Sequence, residues 1–150
     1  MLWGDAPISY LMRLQTLQNR ILKVIYRKPV LTPTLTLYND YVKDILPIKG
    51  MQVFAICKFV RQSIQGTSHR NLTFPRQLRI ESSRDPLKLA GVRALSGWGL
   101  CRISFQGPTF YNNLPKDIRK ELIFPCFLRQ LKPHLLQLPQ LSILLDYSYR

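Results

Sequence analysis

The sequence predicts a mainly α fold, a small helical bundle with a short β-hairpin-like element in the C-terminal half. Apolar residues recur at helical spacing around 8–28, 49–65 and 125–137. Pro29 and Gly66 follow the first two of these segments directly, as expected where helices end. Between Leu100 and Gln106 apolar and polar residues alternate instead, which is typical of a strand.

The first predicted helix extends from about Ile8 to Lys28, and we expect the rest of the chain to be organised around it. Spacings of four and three residues place five apolar side chains on one line of this helix. We name this line the apolar stripe: Tyr10, Leu14, Leu17, Ile21 and Val24. The stripe requires a partner element, because an apolar helix face is stable when it is buried.

Basic residues predict a second face on the same helix. Arg13, Arg20 and Arg27 are spaced by seven residues, so they would line one edge, which we name the basic edge. Lys23 lies elsewhere on the polar side of the helix. This edge suits either solvent or a polyanion.

Residues that cap or break helices predict the remaining elements. Thr32 and Pro33 predict the start of a short second helix, and Gly66 the end of a third helix from Lys49 to Gln65. Gly107-Pro108 and residues 112–115 are turn signals, a helical turn follows at 115–120, and a last helix covers 125–137. The chain therefore divides into a helical region (1–66), a basic connection with a short strand at 77–81 (67–99), a strand-turn-helix region (100–137) and a tail (138–150).

The charge balance favours a polyanionic partner. Lys and Arg number 22 against 8 acidic residues, a net charge of +14. Candidate nucleic-acid-binding residues occur on the first helix and in the C-terminal part: Arg13, Arg20, Lys23, Arg27, Arg76, Arg79, Arg93 and Arg102. A solvated polar face remains an alternative for the helix. Phe74 and Trp98 could stack on bases, but core packing is the favoured interpretation for both.

No catalytic, cofactor or metal motif stands out. Asp40 and Asp44 are four residues apart, but no third ligand lies nearby, and a solvated face is favoured. The Tyr38–Tyr41 run resembles a polymerase Y-x-D-D motif without its second aspartate. The three cysteines form no C-x-x-C pair and are expected to be reduced and mostly buried. The N-terminus lacks the charged-then-apolar pattern of a secretion signal, so we expect an intracellular protein, nuclear or cytoplasmic. No run of 18 apolar residues occurs, so we expect no membrane span.

Four blocks, in order, resemble the region that follows the polymerase palm in reverse transcriptases of non-LTR (LINE, jockey-like) retrotransposons. Residues 3–6 (WGDA) with 14–23 (LQTLQNRILK) resemble the family's W-G-x-A and L-Q-x-L-Q-N-R-x-L-R. The second block is TPT at 32–34, LY at 37–38 and ILPI at 45–48. The third is FQGP at 105–108 with YNNLP at 111–115, and the fourth is FLRQLK at 127–132. Tyr111 stands where tryptophan is usual, and Lys23 where arginine is common.

The resemblance implies that the first helix belongs to the thumb and the rest to the C-terminal extension. It also implies that the thumb lies against a template–primer duplex, either RNA–DNA or DNA. We expect a non-catalytic fragment of an RNA-directed DNA polymerase, because the palm and its paired aspartates do not occur in the chain. The apolar stripe would then pack either on the third helix or on the missing palm. An inert remnant and a stand-alone interaction module remain alternatives.

Overall fold

The computed structural model describes residues 8–66, 87–91 and 102–137. Within these ranges the protein is mainly helical, as predicted, and the helices are numbered here in chain order. They are α1 (Ile8–Ile25), α2 (Thr34–Thr36, continued by a π-helical turn, Leu37–Tyr41), α3 (Ile48–Ile64), α4 (Ile103–Asn112), α5 (Lys116–Lys120) and α6 (Phe124–Gln137). The predicted strand at 77–81 and the tail at 138–150 lie outside the described residues.

The central element of the fold is helix α3. The prediction that the chain is organised around the first helix is wrong. Helix α3 packs against α1, α4 and α6. Val53, Ile56, Cys57 and Val60, which share one face of this helix, are all inaccessible to solvent. Helix α3 ends where Gly66 adopts a positive φ of 71°, a conformation that glycine adopts without steric strain, so this predicted stop is confirmed.

The main core joins α3 to the C-terminal helices. Tyr111 and Phe127 lie in its centre, with ring centroids 6.4 Å apart. The buried members of this core are Leu46, Val53, Ile56, Cys57, Val60, Leu89, Phe110, Tyr111, Leu114, Ile118, Phe127, Leu131 and Leu135. A second, smaller cluster lies between α1 and α2 and consists of Leu22, Leu37, Tyr38 and Val42.

The predicted strand at 100–106 is wrong, since α4 begins at Ile103 and continues through the predicted Gly107-Pro108 turn. The part of the chain that the structure describes contains no strand of a hairpin. The alternation between Leu100 and Gln106 is too short to distinguish the period of a strand from the period of a helix. The residues of α4 that the fold buries include three consecutive ones, Gln106 to Pro108, as well as Phe110 and Tyr111, so no strand-like alternation of burial is present.

Two hydrogen-bond sets hold the C-terminal helices, one to the segment 87–91 and one to α3. The side chain of Asn112 accepts from the Leu89 backbone N–H at 2.9 Å and donates to the Leu89 carbonyl at 3.0 Å. The buried Arg61 guanidinium donates to the Tyr111 hydroxyl at 3.2 Å and to the carbonyl of Glu121. The predicted turn at 112–115, the helical turn after Pro115 and the last helix are all confirmed.

Candidate nucleic-acid interface

The apolar stripe of α1 is not part of the core. Its five side chains are between 44% and 78% exposed, so the prediction that it packs on α3 is wrong. The buried face lies about a third of a turn away and contains Leu11, Gln15 and Leu22. Among the described residues, no other helix buries the stripe.

A network of polar side chains explains why Gln15 is buried. The Ile48 backbone N–H, at the start of α3, donates to Oε1 of Gln15 at 2.8 Å. Nε2 of Gln15 lies 2.9 Å from the Tyr38 hydroxyl, which in turn donates to Oε1 of Gln18 at 2.9 Å. Gln18 donates to the Leu46 carbonyl at 2.9 Å. These hydrogen bonds attach α1 to the π-helical turn after α2 and to the start of α3.

The same network perturbs one titratable group. Burial raises the pKa of the Tyr38 phenol, and the hydrogen bond with Gln15 partly offsets this increase. The phenol is therefore held neutral, as a donor to Gln18.

The basic edge of α1 consists of two residues rather than three. Arg13 and Arg20 are exposed on α1, as predicted. Arg27 is exposed as well, but α1 ends at Ile25, and Arg27 adopts a left-handed conformation with φ of 51°. The seven-residue spacing therefore does not extend to Arg27, because the helix has already ended there.

The other predicted basic residues are separate from α1 or outside the described residues. Arg102 is exposed immediately before α4, a helix that packs against α3. Arg76, Arg79 and Arg93, together with Phe74 and Trp98, lie outside the described residues. Of the predicted basic residues, those that the structure describes together therefore lie on or next to α1.

A cavity of about 600 Å³ opens between α1 and the segment 28–34. Three basic side chains line it, those of Arg20, Lys23 and Lys28. Thr16, Asn19 and Thr34 contribute polar groups, and Val24 and Val30 contribute apolar wall. None of the described residues that line the cavity is acidic, so its electrostatic potential favours an anion.

The polar groups of the cavity take part in internal hydrogen bonds, both as donors and as acceptors. Lys23 donates to the Val30 carbonyl at 2.6 Å, and Asn19 donates to Oγ1 of Thr34 at 3.3 Å. Oδ1 of Asn19 lies 2.8 Å from Nε2 of Gln15. The Lys28 ammonium lies 3.7 Å from the centre of the Tyr41 ring, a cation–π contact.

Lys28, Asn19 and Thr34 were not among the residues predicted from the sequence. The available signal was that QN at 18–19 and TPT at 32–34 are polar segments on either side of a breaker, Pro29. Nothing in the sequence indicated that the chain reverses there and brings Thr34 next to Asn19. That contact depends on the tertiary structure.

Two further expectations concern metal ions and membranes. Asp40 and Asp44 are exposed, and the described residues contain no group of three side chains able to hold a metal ion. Within the same ranges, no helix has the length and hydropathy needed to cross a bilayer. Among the cysteines, Cys57 is buried and Cys126 half-buried, and both are free thiols.

The fold and the surface together define a class, a small, mainly helical protein with a basic cavity. No protein-family model, no curated protein and no solved structure matches this chain. The function must therefore be inferred from the residues themselves.

Proposed function

We propose that this chain binds a nucleic-acid duplex through Arg13, Arg20 and the cavity beside them, without carrying out catalysis itself. The observation that carries the proposal is the cavity, which is lined by three basic side chains and, among the described residues, by no acidic one. Exposed guanidiniums on a helix pair readily with phosphates, and binding releases counterions from the nucleic acid. The net charge of +14 adds a long-range attraction of the same sign.

The resemblance to the thumb and C-terminal region of non-LTR retrotransposon reverse transcriptases supports the same proposal and makes a template–primer duplex the favoured ligand. Three pieces of the resembling blocks meet in one network, since Gln15 and Gln18 bond with Tyr38, Leu46 and Ile48. Because these pieces contact one another in the structure, there is a physical reason for them to occur together, in this order, in the sequence.

The experiment is a salt-dependence measurement of duplex binding. The whole chain is titrated with a labelled RNA–DNA duplex at several salt concentrations. We expect the logarithm of affinity to fall linearly with the logarithm of salt concentration. The double variant Arg13→Gln, Arg20→Gln should weaken binding and reduce the slope by about 1 for each phosphate contact removed.

The control has the same charge change elsewhere. Arg129 and Lys132 are exposed on α6, and Arg129→Gln with Lys132→Gln removes two charges from that helix. Equal loss in the two double variants would show that net charge alone attracts the duplex and would contradict a site on α1. A slope near zero for the unchanged chain would contradict nucleic-acid binding altogether.

A second candidate function, that of an interaction module, is favoured by the apolar stripe. Five adjacent large apolar side chains exposed on one helix are unusual for an isolated protein and mark protein contacts. Under the resemblance, the packing partner would be the palm. If the unchanged chain binds a hydrophobic dye or aggregates, and the double variant Leu17→Gln, Ile21→Gln does not, this candidate is supported. If the unchanged chain shows no dye binding and no aggregation, the candidate is contradicted.

A further inference from the structure

We propose that the cavity beside α1 binds a phosphomonoester, the doubly charged phosphate at the end of a strand or on a free nucleotide. This inference rests on the nucleic-acid binding proposed above and names the group that one part of that surface recognises. The basic edge would contact the strand, and the cavity would hold the terminal phosphate.

The charge of the cavity fits a dianion better than a phosphate within a strand. An internal phosphodiester carries one negative charge, whereas a phosphomonoester carries between about −1.5 and −2 near neutral pH. Arg20, Lys23 and Lys28 supply three positive charges to a single cavity. A monoester therefore neutralises more of the charge gathered there.

The hydrogen-bonding groups of the cavity agree with this ligand. A phosphate group accepts hydrogen bonds through its oxygens. Arg20 offers a guanidinium that is exposed to solvent, and Lys23 keeps two of its three ammonium hydrogens after bonding with Val30. The Thr34 hydroxyl accepts from Asn19, which leaves its own hydrogen for a ligand.

The size and walls of the cavity accommodate more than the phosphate. Its volume of about 600 Å³ lies within the usual range for small-molecule sites. The side chains of Val24 and Val30 provide apolar wall on which the attached sugar or base can lie. The site therefore suits a terminal nucleotide as well as its phosphate.

The test compares two RNA–DNA duplexes that differ only in a 5′-phosphate or a 5′-hydroxyl, each labelled at the opposite end. We expect the unchanged chain to bind the phosphorylated duplex about tenfold more tightly, since charge-assisted hydrogen bonds are the strong ones. The variants Lys28→Gln and Thr34→Val should bring this ratio close to one. Lys132→Gln, with the same charge change on α6, should leave the ratio as it is.

Arg13 distinguishes the cavity from the rest of the surface, because it does not line the cavity. Arg13→Gln should weaken binding of both duplexes by the same factor. A ratio of one in the unchanged chain, with salt-dependent binding of both duplexes, would overturn the cavity proposal and leave duplex binding intact. Loss of all duplex binding would instead overturn the proposed function.

A competition arm identifies the source of the phosphate. Inorganic phosphate and adenosine monophosphate are added to the complex with each duplex. Displacement of the phosphorylated duplex alone by either compound supports a phosphomonoester site, and a stronger effect of the nucleotide supports contact with the sugar or base. If neither compound competes and Lys28→Gln leaves the ratio unchanged, the proposal is wrong.

Discussion

The two halves of the described protein are held together by different forces. The C-terminal half packs around α3 through a core of apolar side chains, with Phe127 and Ile56 fully buried. Helix α1 is attached mainly by the Gln15–Tyr38 hydrogen bonds and by a small cluster around Leu22. The comparison teaches that helical periodicity identifies a helix without identifying the face that the fold buries.

The largest expected effect is on the free energy of unfolding, when a large side chain of each half is replaced by alanine. Phe127→Ala should lower the free energy of unfolding by about 3–5 kcal/mol, because it leaves a cavity in the main core. Leu17→Ala on the exposed stripe should change it by less than about 0.5 kcal/mol. Urea denaturation of each variant measures both values. A similar loss for Leu17→Ala would contradict the exposed position of the stripe.

Thiol labelling gives the next contrast. Burial raises the pKa of the Cys57 thiol and excludes reagent, so Cys57 should react only when the main core opens. Half-buried Cys126, at the start of α6, should react at least about a hundredfold faster. Iodoacetamide labelling followed by mass spectrometry, on a Cys101→Ser background, measures the two rates. Equal rates would place Cys57 outside a stable core.

The polar attachment of α1 predicts a smaller effect. Gln15→Ala leaves the Ile48 N–H and the Tyr38 hydroxyl without this partner, at a cost of about 1–3 kcal/mol. Combined with Tyr38→Phe, the double-mutant cycle should show a coupling of at least about 0.5 kcal/mol. Gln137→Ala, an exposed glutamine on α6, is the control. Additive effects in the cycle would mean that the two side chains do not interact.

The smallest expected effect is a pH dependence in α6. Partial burial lowers the pKa of His134 below its ordinary value of 6.5. The unfolded chain then binds a proton more readily than the folded one, so stability is retained above pH 6.5 and lost as pH falls toward the folded pKa. Between about pH 7.5 and pH 5.5 the Tm of the unchanged chain should fall more than that of His134→Gln. Parallel curves would exclude His134 as the cause.

The site was predictable only in part, for a physical reason. The exposure of Arg13 and Arg20 follows from their position on the polar side of an amphipathic helix, which local spacing reveals. The cavity depends on where the chain runs after Pro29, and therefore on the contact between Asn19 and Thr34. That contact joins residues from different elements, and no local pattern encodes it.

The sequence by itself determined that the chain forms helices and where several of them end, since spacing, proline and glycine act over a few residues. It did not determine which face of α1 is buried or that residues 103–112 are a helix. The tertiary structure decided both, because burial depends on the neighbours that each side chain finds. On α1, Gln15 is buried where leucines of the stripe are not, since only its amide can satisfy the Ile48 N–H and the Tyr38 hydroxyl together.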